Sequence, residues 1–147
     1  MFSRGRSNKL MMMNELLFQR NARLAPEMLR DLFMQTEWAK QRSLEGIARM
    51  LQQTPLHMSA WRNDELVGFA RALGDGVYRA VIEDVIVAPQ LRGNGIGKKL
   101  VDLLLAELAE VEEVMLGCMA GLVPFYERFD FKRVTHPIMK RHHHMQR

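Results

Sequence analysis

The sequence predicts an α+β fold: a single domain on a mixed, mostly antiparallel sheet, in the order β α α β β β α β α β, with helices on both faces. Three observations carry this. Two helical patterns near the start give way to three strand-like runs separated by short turns, the signature of an antiparallel meander. The last of these runs enters a glycine-rich turn and then an apolar helical stripe, and the strand after that helix must lie parallel to the one before it. Finally, 147 residues, 48% of them apolar and 26% charged, suffice for one core without disulfides or metal.

In chain order, residues 1–10 lack periodicity and read as a flexible segment, and Met11, Met12 and Met13 are candidate alternative starts. A short strand is expected over residues 14–19. Pro26 suits the first position of a helix, and Met28, Leu29, Leu32, Phe33 and Thr36 recur at helical spacing, predicting a helix over 26–38. Ser43 is the expected N-cap of a second helix over 44–52, with Leu44, Ile47, Ala48 and Leu51 on one face. Strands follow over 56–62, 66–73 and 78–87, joined by turns at Arg62-Asn63-Asp64-Glu65 and Gly74-Asp75-Gly76. Pro89 ends the third. Ile96, Leu100, Leu103, Leu104 and Leu108 form one stripe of a helix reaching about residue 110. A parallel strand over 114–119, a short helix within 122–129 and a strand over 131–139, interrupted at Pro137, complete the chain.

Composition excludes several function classes. A lone Cys118 rules out an internal disulfide framework and fits a reducing compartment. No apolar run is long enough to span a membrane, and the N-terminus lacks a signal-peptide pattern, so a cytoplasmic protein is expected. The net charge of +4 sits at the ends: Arg4, Arg6, Lys9, Lys140, Arg141 and Arg147 leave 15 of the 21 basic residues against all 17 acidic ones in the body. A slightly acidic body with a basic tail at 140–147 argues against a nucleic-acid binder.

The stretch VIEDVIVAPQLRGNGIGKKL holds the chemistry. A β-branched run, a glycine turn and a helix in succession describe a backbone cradle for phosphate. The P-loop pattern fails, because Lys99 stands where its hydroxyl residue belongs and its first glycine is absent. The dinucleotide pattern fails, because Lys98 occupies its third glycine. The pattern Arg/Gln-x-x-Gly-x-Gly/Ala is met by Arg92-Gly93-Asn94-Gly95-Ile96-Gly97.

With this loop, the preceding LVGFARALGDG and AVIEDVIV, and the later PFYERFDF, the chain resembles the GNAT superfamily of N-acetyltransferases over roughly residues 66–133. The string Ile82-Glu83-Asp84-Val85 resembles glucosamine-6-phosphate N-acetyltransferases, and LVGFAR with its DG turn resembles arylalkylamine-type enzymes. The resemblance implies acetyl-CoA as cofactor, its pyrophosphate held by Arg92, Gly93, Asn94, Gly95, Ile96, Gly97 and Lys98. It implies a bulged strand that splays from its parallel neighbour, so that pantetheine pairs with the backbone of Val85, Ile86 and Val87. It also implies Tyr126 as the proton donor to the departing sulfur. An alkylammonium near pKa 10.4 must lose a proton before it attacks. Some members of the family that the chain resembles carry their base near the position of Glu83, which makes Glu83 the candidate base, directly or through water. Asp84 is the candidate partner of the substrate ammonium. Two departures stand out: Leu122 replaces a family Asn, and Asp130 a family Gly, tolerable because Asp enters the left-handed region more readily than most residues.

Other residues carry plainer expectations. Cys118, within a predicted strand, reads as a core thiol, Trp38 and Trp61 as packing residues or pocket lining, and His142, His143 and His144 as poor metal-site geometry, so no metal is expected. The expected function is acetyl transfer to a primary amine by direct attack in a ternary complex, with a small-molecule acceptor favoured over a protein amine. Pairing of copies through sheet edges would give a homodimer. The competing reading is a non-catalytic acyl-CoA-binding regulator.

Overall fold

The computed structural model describes residues 11–13 and 15–143. They fall into two compact units, one running to Gly117 and one starting at Cys118. The expected flexible segment 1–10 and residues 144–147 of the basic tail lie outside the described residues.

The first unit is a six-stranded sheet whose strands lie side by side in sequence order. They are β1 (Met11–Met13), β2 (Leu16–Arg20), β3 (Leu56–Arg62), β4 (Glu65–Gly74), β5 (Arg79–Val87) and β6 (Glu113–Met115). Neighbours are antiparallel except β5 and β6, which are parallel as the crossover requires. Helices α1 (Pro26–Phe33) and α2 (Leu44–Gln53) precede β3, and α3 (Ile96–Glu107) links β5 to β6. Ser43 caps α2, its hydroxyl accepting from the Gly46 N–H at 3.0 Å.

The central strand fixes the layering. Phe69 of β4 meets the Phe33 ring of α1 edge-on at 6.3 Å. At the adjacent Gly68, a Cβ would stand 3.0 Å from Ile96 and Leu100 of α3. Successive strand residues point to opposite faces, so α1 and α3 cover opposite sides of the sheet. That is why β4 is buried continuously from Leu66 to Ala70. Phe18, Leu29, Leu32, Phe33, Phe69, Ile96, Leu100 and Leu104 are all buried, each worth about 1.5–3 kcal/mol. Among the described residues, no helix is long and apolar enough to cross a membrane.

Four elements differ from expectation. Met11–Met13, read only as alternative starts, pair with β2 as an edge strand. Helix α1 stops at Phe33, because the Thr36 hydroxyl donates to the Phe33 carbonyl at 2.8 Å and accepts from the Ala39 N–H at 3.0 Å, turning the chain out of the helix. Strand β6 ends at Met115, not residue 119, and Cys118 beyond it is exposed, not a core thiol. The strand expected over 131–139 is not formed. Pro137 has no N–H for a ladder, and Val134, Ile138 and Met139 remain exposed, so no buried face fixes a register.

The second unit includes a 3₁₀ turn at Ala120–Leu122 that leads into the short helix α4 (Val123–Glu127), with Pro124 in its first turn.

Candidate active site

β5 is irregular at the two acids. Arg71 of β4 pairs with Glu83 and Phe69 pairs with Ile86, so Asp84 and Val85 together oppose the single Ala70. That is a β-bulge, and Asp84 within it takes φ 55, in the left-handed region. Directly paired residues share a face, so Glu83 and Ile86 both lie on the α1 side with Arg71 and Phe69. In a regular strand, residues three apart would point oppositely. The Asp84 carboxylate reaches Arg71 as well. The bulge therefore brings both acids to one face of the sheet.

The outer edge of β5 opens at the same level. Its ladder with β6 runs only from Arg79↔Glu113 to Val81↔Met115, and bulges increase local twist. The Ala88 N–H donates inward to Val67 of β4 at 2.8 Å. Backbone groups alternate edges along a strand, so those of Val87 and Val85 point outward, past the last β5–β6 pair. Ile86 is buried, and its side chain packs in the core.

The two acids have different environments. Glu83 is exposed. Asp84 is buried, with its side chain 2% exposed. Its Oδ2 accepts from Arg71 Nε at 2.6 Å and from Arg42 Nη1 at 2.8 Å, and its Oδ1 from Arg42 Nη2 at 3.0 Å. Burial pushes the carboxyl pKa up, but the bonds and charges of Arg42 and Arg71 outweigh it and hold Asp84 below the ordinary value. The carboxylate expected to hold a substrate ammonium is thus shielded from solvent and already neutralised by two guanidiniums, which gives it little need for a further cation.

Beyond β5, residues Pro89–Leu91 form one 3₁₀ turn and lead into the glycine loop. Gly93 and Gly95 take φ 83 and φ 79. Nothing lies within 4 Å of a Cβ built at either, so the need for glycine is conformational and the space over the loop is open. Asn94 Nδ2 donates to the Leu91 carbonyl at 3.0 Å, tying the loop back on itself. Gly95 is the N-cap of α3 and offers no side-chain acceptor. The N–H groups of Ile96, Gly97 and Lys98 therefore end the helix without intrahelical acceptors, at the positive end of its dipole. Ile96 is buried and anchors the turn. Arg92 is exposed, and Lys98 is exposed and pairs with Asp102 at 2.7 Å. These features fit a phosphorylated ligand: an uncapped helix start, two left-handed glycines and open space above them.

Within the second unit, Tyr126 is buried. Its ring meets Phe125 at 4.9 Å and Phe131 at 6.0 Å, both edge-on. Burial pushes its phenol up to about 12, with the Cys118 thiolate adding to the rise, so it is protonated throughout the neutral range. Asp130 takes φ 65, the conformation that glycine would supply there. Leu122 is exposed.

The family model described as an acetyltransferase (GNAT) domain matches residues 22–147. The chain belongs to the GNAT acetyltransferase family. An uncharacterized N-acetyltransferase of Prochlorococcus marinus is 32% identical over 105 residues, 67% of this chain and 58% of its own length. A chloroplastic serotonin N-acetyltransferase 2 of Oryza sativa is 40% identical over 67 residues, 44% of this chain and 34% of its own length. The chain thus spans roughly half the length of these curated relatives, or less. The crystal structure of a candidate acetyltransferase from Deinococcus radiodurans superposes with a TM-score of 0.76 at 30% identity, covering 87% of this chain and 90% of that one.

Within this GNAT frame, sequence reasoning missed Arg42 and Arg71. Arg71 had a signal: a charge amid the apolar run LVGFARAL needs a buried partner. Arg42 had none, because it lies in the patternless stretch between α1 and α2, far from Asp84 in sequence.

Proposed function

We propose that this GNAT chain moves the acetyl group of acetyl-CoA to a primary amine by direct attack in a ternary complex. The observation that carries the reading is the continuity of β5 with the glycine loop: an opened strand edge leads directly into an uncapped helix N-terminus. The residues present suit coenzyme A. Gly93 to Lys98 offer converging N–H groups for the pyrophosphate, with Arg92 adding charge, and the outward backbone groups of Val85 and Val87 can pair with pantetheine as a strand would. A backbone N–H at this edge would polarise the thioester carbonyl.

Glu83, exposed on the face to which the bulge turns it, takes the proton from the acceptor ammonium directly or through water. Tyr126 is assigned the proton donor to the departing sulfur on the family motif, and its protonated phenol supports that role. An alternative binding module would need the loop but neither of these groups. A small amine is the favoured acceptor, in keeping with the serotonin named for the Oryza sativa relative. Expected outcomes are a fall in kcat of about 10²-fold or more for Glu83→Gln, at the low end for loss of a general base, and a severalfold fall for Tyr126→Phe. CoA affinity by calorimetry should be nearly unchanged in both. Unchanged turnover in either variant removes that residue from the mechanism.

A further inference from the structure

Asp84 poses a physical question. A glycine would adopt its φ of 55 without strain, yet the chain places there a side chain that has to be neutralised. The guanidinium of Arg42 grips both carboxylate oxygens as a fork, and Arg71 Nε adds a third bond from the central strand. The same Arg42 group lies over the Phe33 ring at 4.8 Å and the Trp38 ring at 5.5 Å, with Nη1 3.9 Å from Met50 Sδ. One guanidinium therefore touches the end of α1, the 34–43 connection and α2, and bonds to the bulge of β5. Trp38 itself is 55% exposed, so one part of this stack is open to solvent.

A glycine bulge would be free to sample several conformations, whereas an Asp held by three charge-assisted bonds has one. The position of that bulge sets the direction of the Val85 and Val87 backbone groups at the opened edge. Misplacing reacting groups by about 1 Å can cost on the order of 10²-fold in rate, so a device that fixes this edge bears directly on turnover.

We propose that Arg42 and Arg71 are positioning residues that act through Asp84: together they lock the β5 bulge, and Arg42 ties that lock to the 34–43 connection. The inference rests on the acetyl-transfer reading of the same edge. It departs from it by assigning to the acidic pair unequal duties, Glu83 in proton transfer and Asp84 in holding the backbone.

The test compares Arg42→Gln and Arg42→Lys with Lys40→Ala, a control in the same connection whose ion pair with Glu37 is a surface one. Arg71 still neutralises Asp84 in Arg42→Gln, and Arg42→Lys keeps a charge while losing the fork. If Arg42→Gln does not fold, Arg42→Lys carries the test. Two readouts are taken on folded protein: kcat and KM for acetyl-CoA and amine, and the amide NMR shifts of Val85 and Val87 without ligand. The lock predicts that Arg42→Gln lowers kcat about 10-fold with KM for acetyl-CoA within about 2-fold, that Arg42→Lys falls between, and that both amides shift while Lys40→Ala changes neither. Wild-type kcat per folded molecule with unmoved amides overturns the proposal, even where stability has dropped. If the wild type acetylates no amine, the transfer reading fails separately and the amide shifts alone decide the lock: movement in Arg42→Gln supports it and none overturns it.

Discussion

Replacing Asp84 by Asn keeps a side chain that tolerates the left-handed region and removes the charge that two guanidiniums share. The Asp84 pKa is held below its unfolded value, near 3.9 for a free carboxyl. Its stabilising contribution is therefore complete above about pH 4 and disappears as pH falls through the folded value. Asp84→Asn should destabilise the protein at neutral pH by about 3–5 kcal/mol, the usual consequence of breaking a buried pair from one side. It should also flatten the loss of stability below about pH 4 that the wild type shows. Urea titrations at a series of pH values measure both, and parallel pH curves for the two proteins would refute this account of Asp84. The two acids also show what a residue-level reading can supply. Their adjacency in an apolar strand marked them as chemical groups, but nothing in the string tells which one is buried. That depends on Arg42, whose approach is set by tertiary packing.

At the scale of elements, β4 and α3 meet through Gly68. A Cβ there would stand 3.0 Å from Ile96 and Leu100 and 3.2 Å from Ala60. Gly68→Ala should therefore cost about 1–3 kcal/mol by overpacking, seen as a lower urea midpoint with an unchanged m-value; a midpoint at or above wild type would show that the interface yields freely. Gly95→Ala presents the opposite case. Space is open, and the cost is a φ of 79, so it strains the loop by about 1–2 kcal/mol and should weaken CoA binding more than it lowers the urea midpoint. Equal CoA affinity would separate this loop from the pyrophosphate. The periodic elements were legible because their signals are local: α2, β3, the hairpin at Asn63 and the start of α3 all lie where capping, alternation and glycines put them. The misses depend on partners distant in sequence. Thr36 ends α1 early, β6 pairs with β5 only as far as Val81↔Met115, and residues 131–139 bury no face that would make them a strand.

At the scale of the whole molecule, the proposed acetyl transfer draws on the loop, the β5 edge and the exposed Glu83. A non-catalytic CoA-binding protein would share the loop, so binding of CoA does not decide between the two readings. Turnover does. The decisive measurement is thiol release from acetyl-CoA across a panel of amines, including amino sugars, arylalkylamines, polyamines and lysine peptides. Amine-dependent release above the hydrolytic background with at least one class, reduced in Glu83→Gln, is the predicted result. Tight CoA binding with no amine-dependent release anywhere in the panel would contradict it.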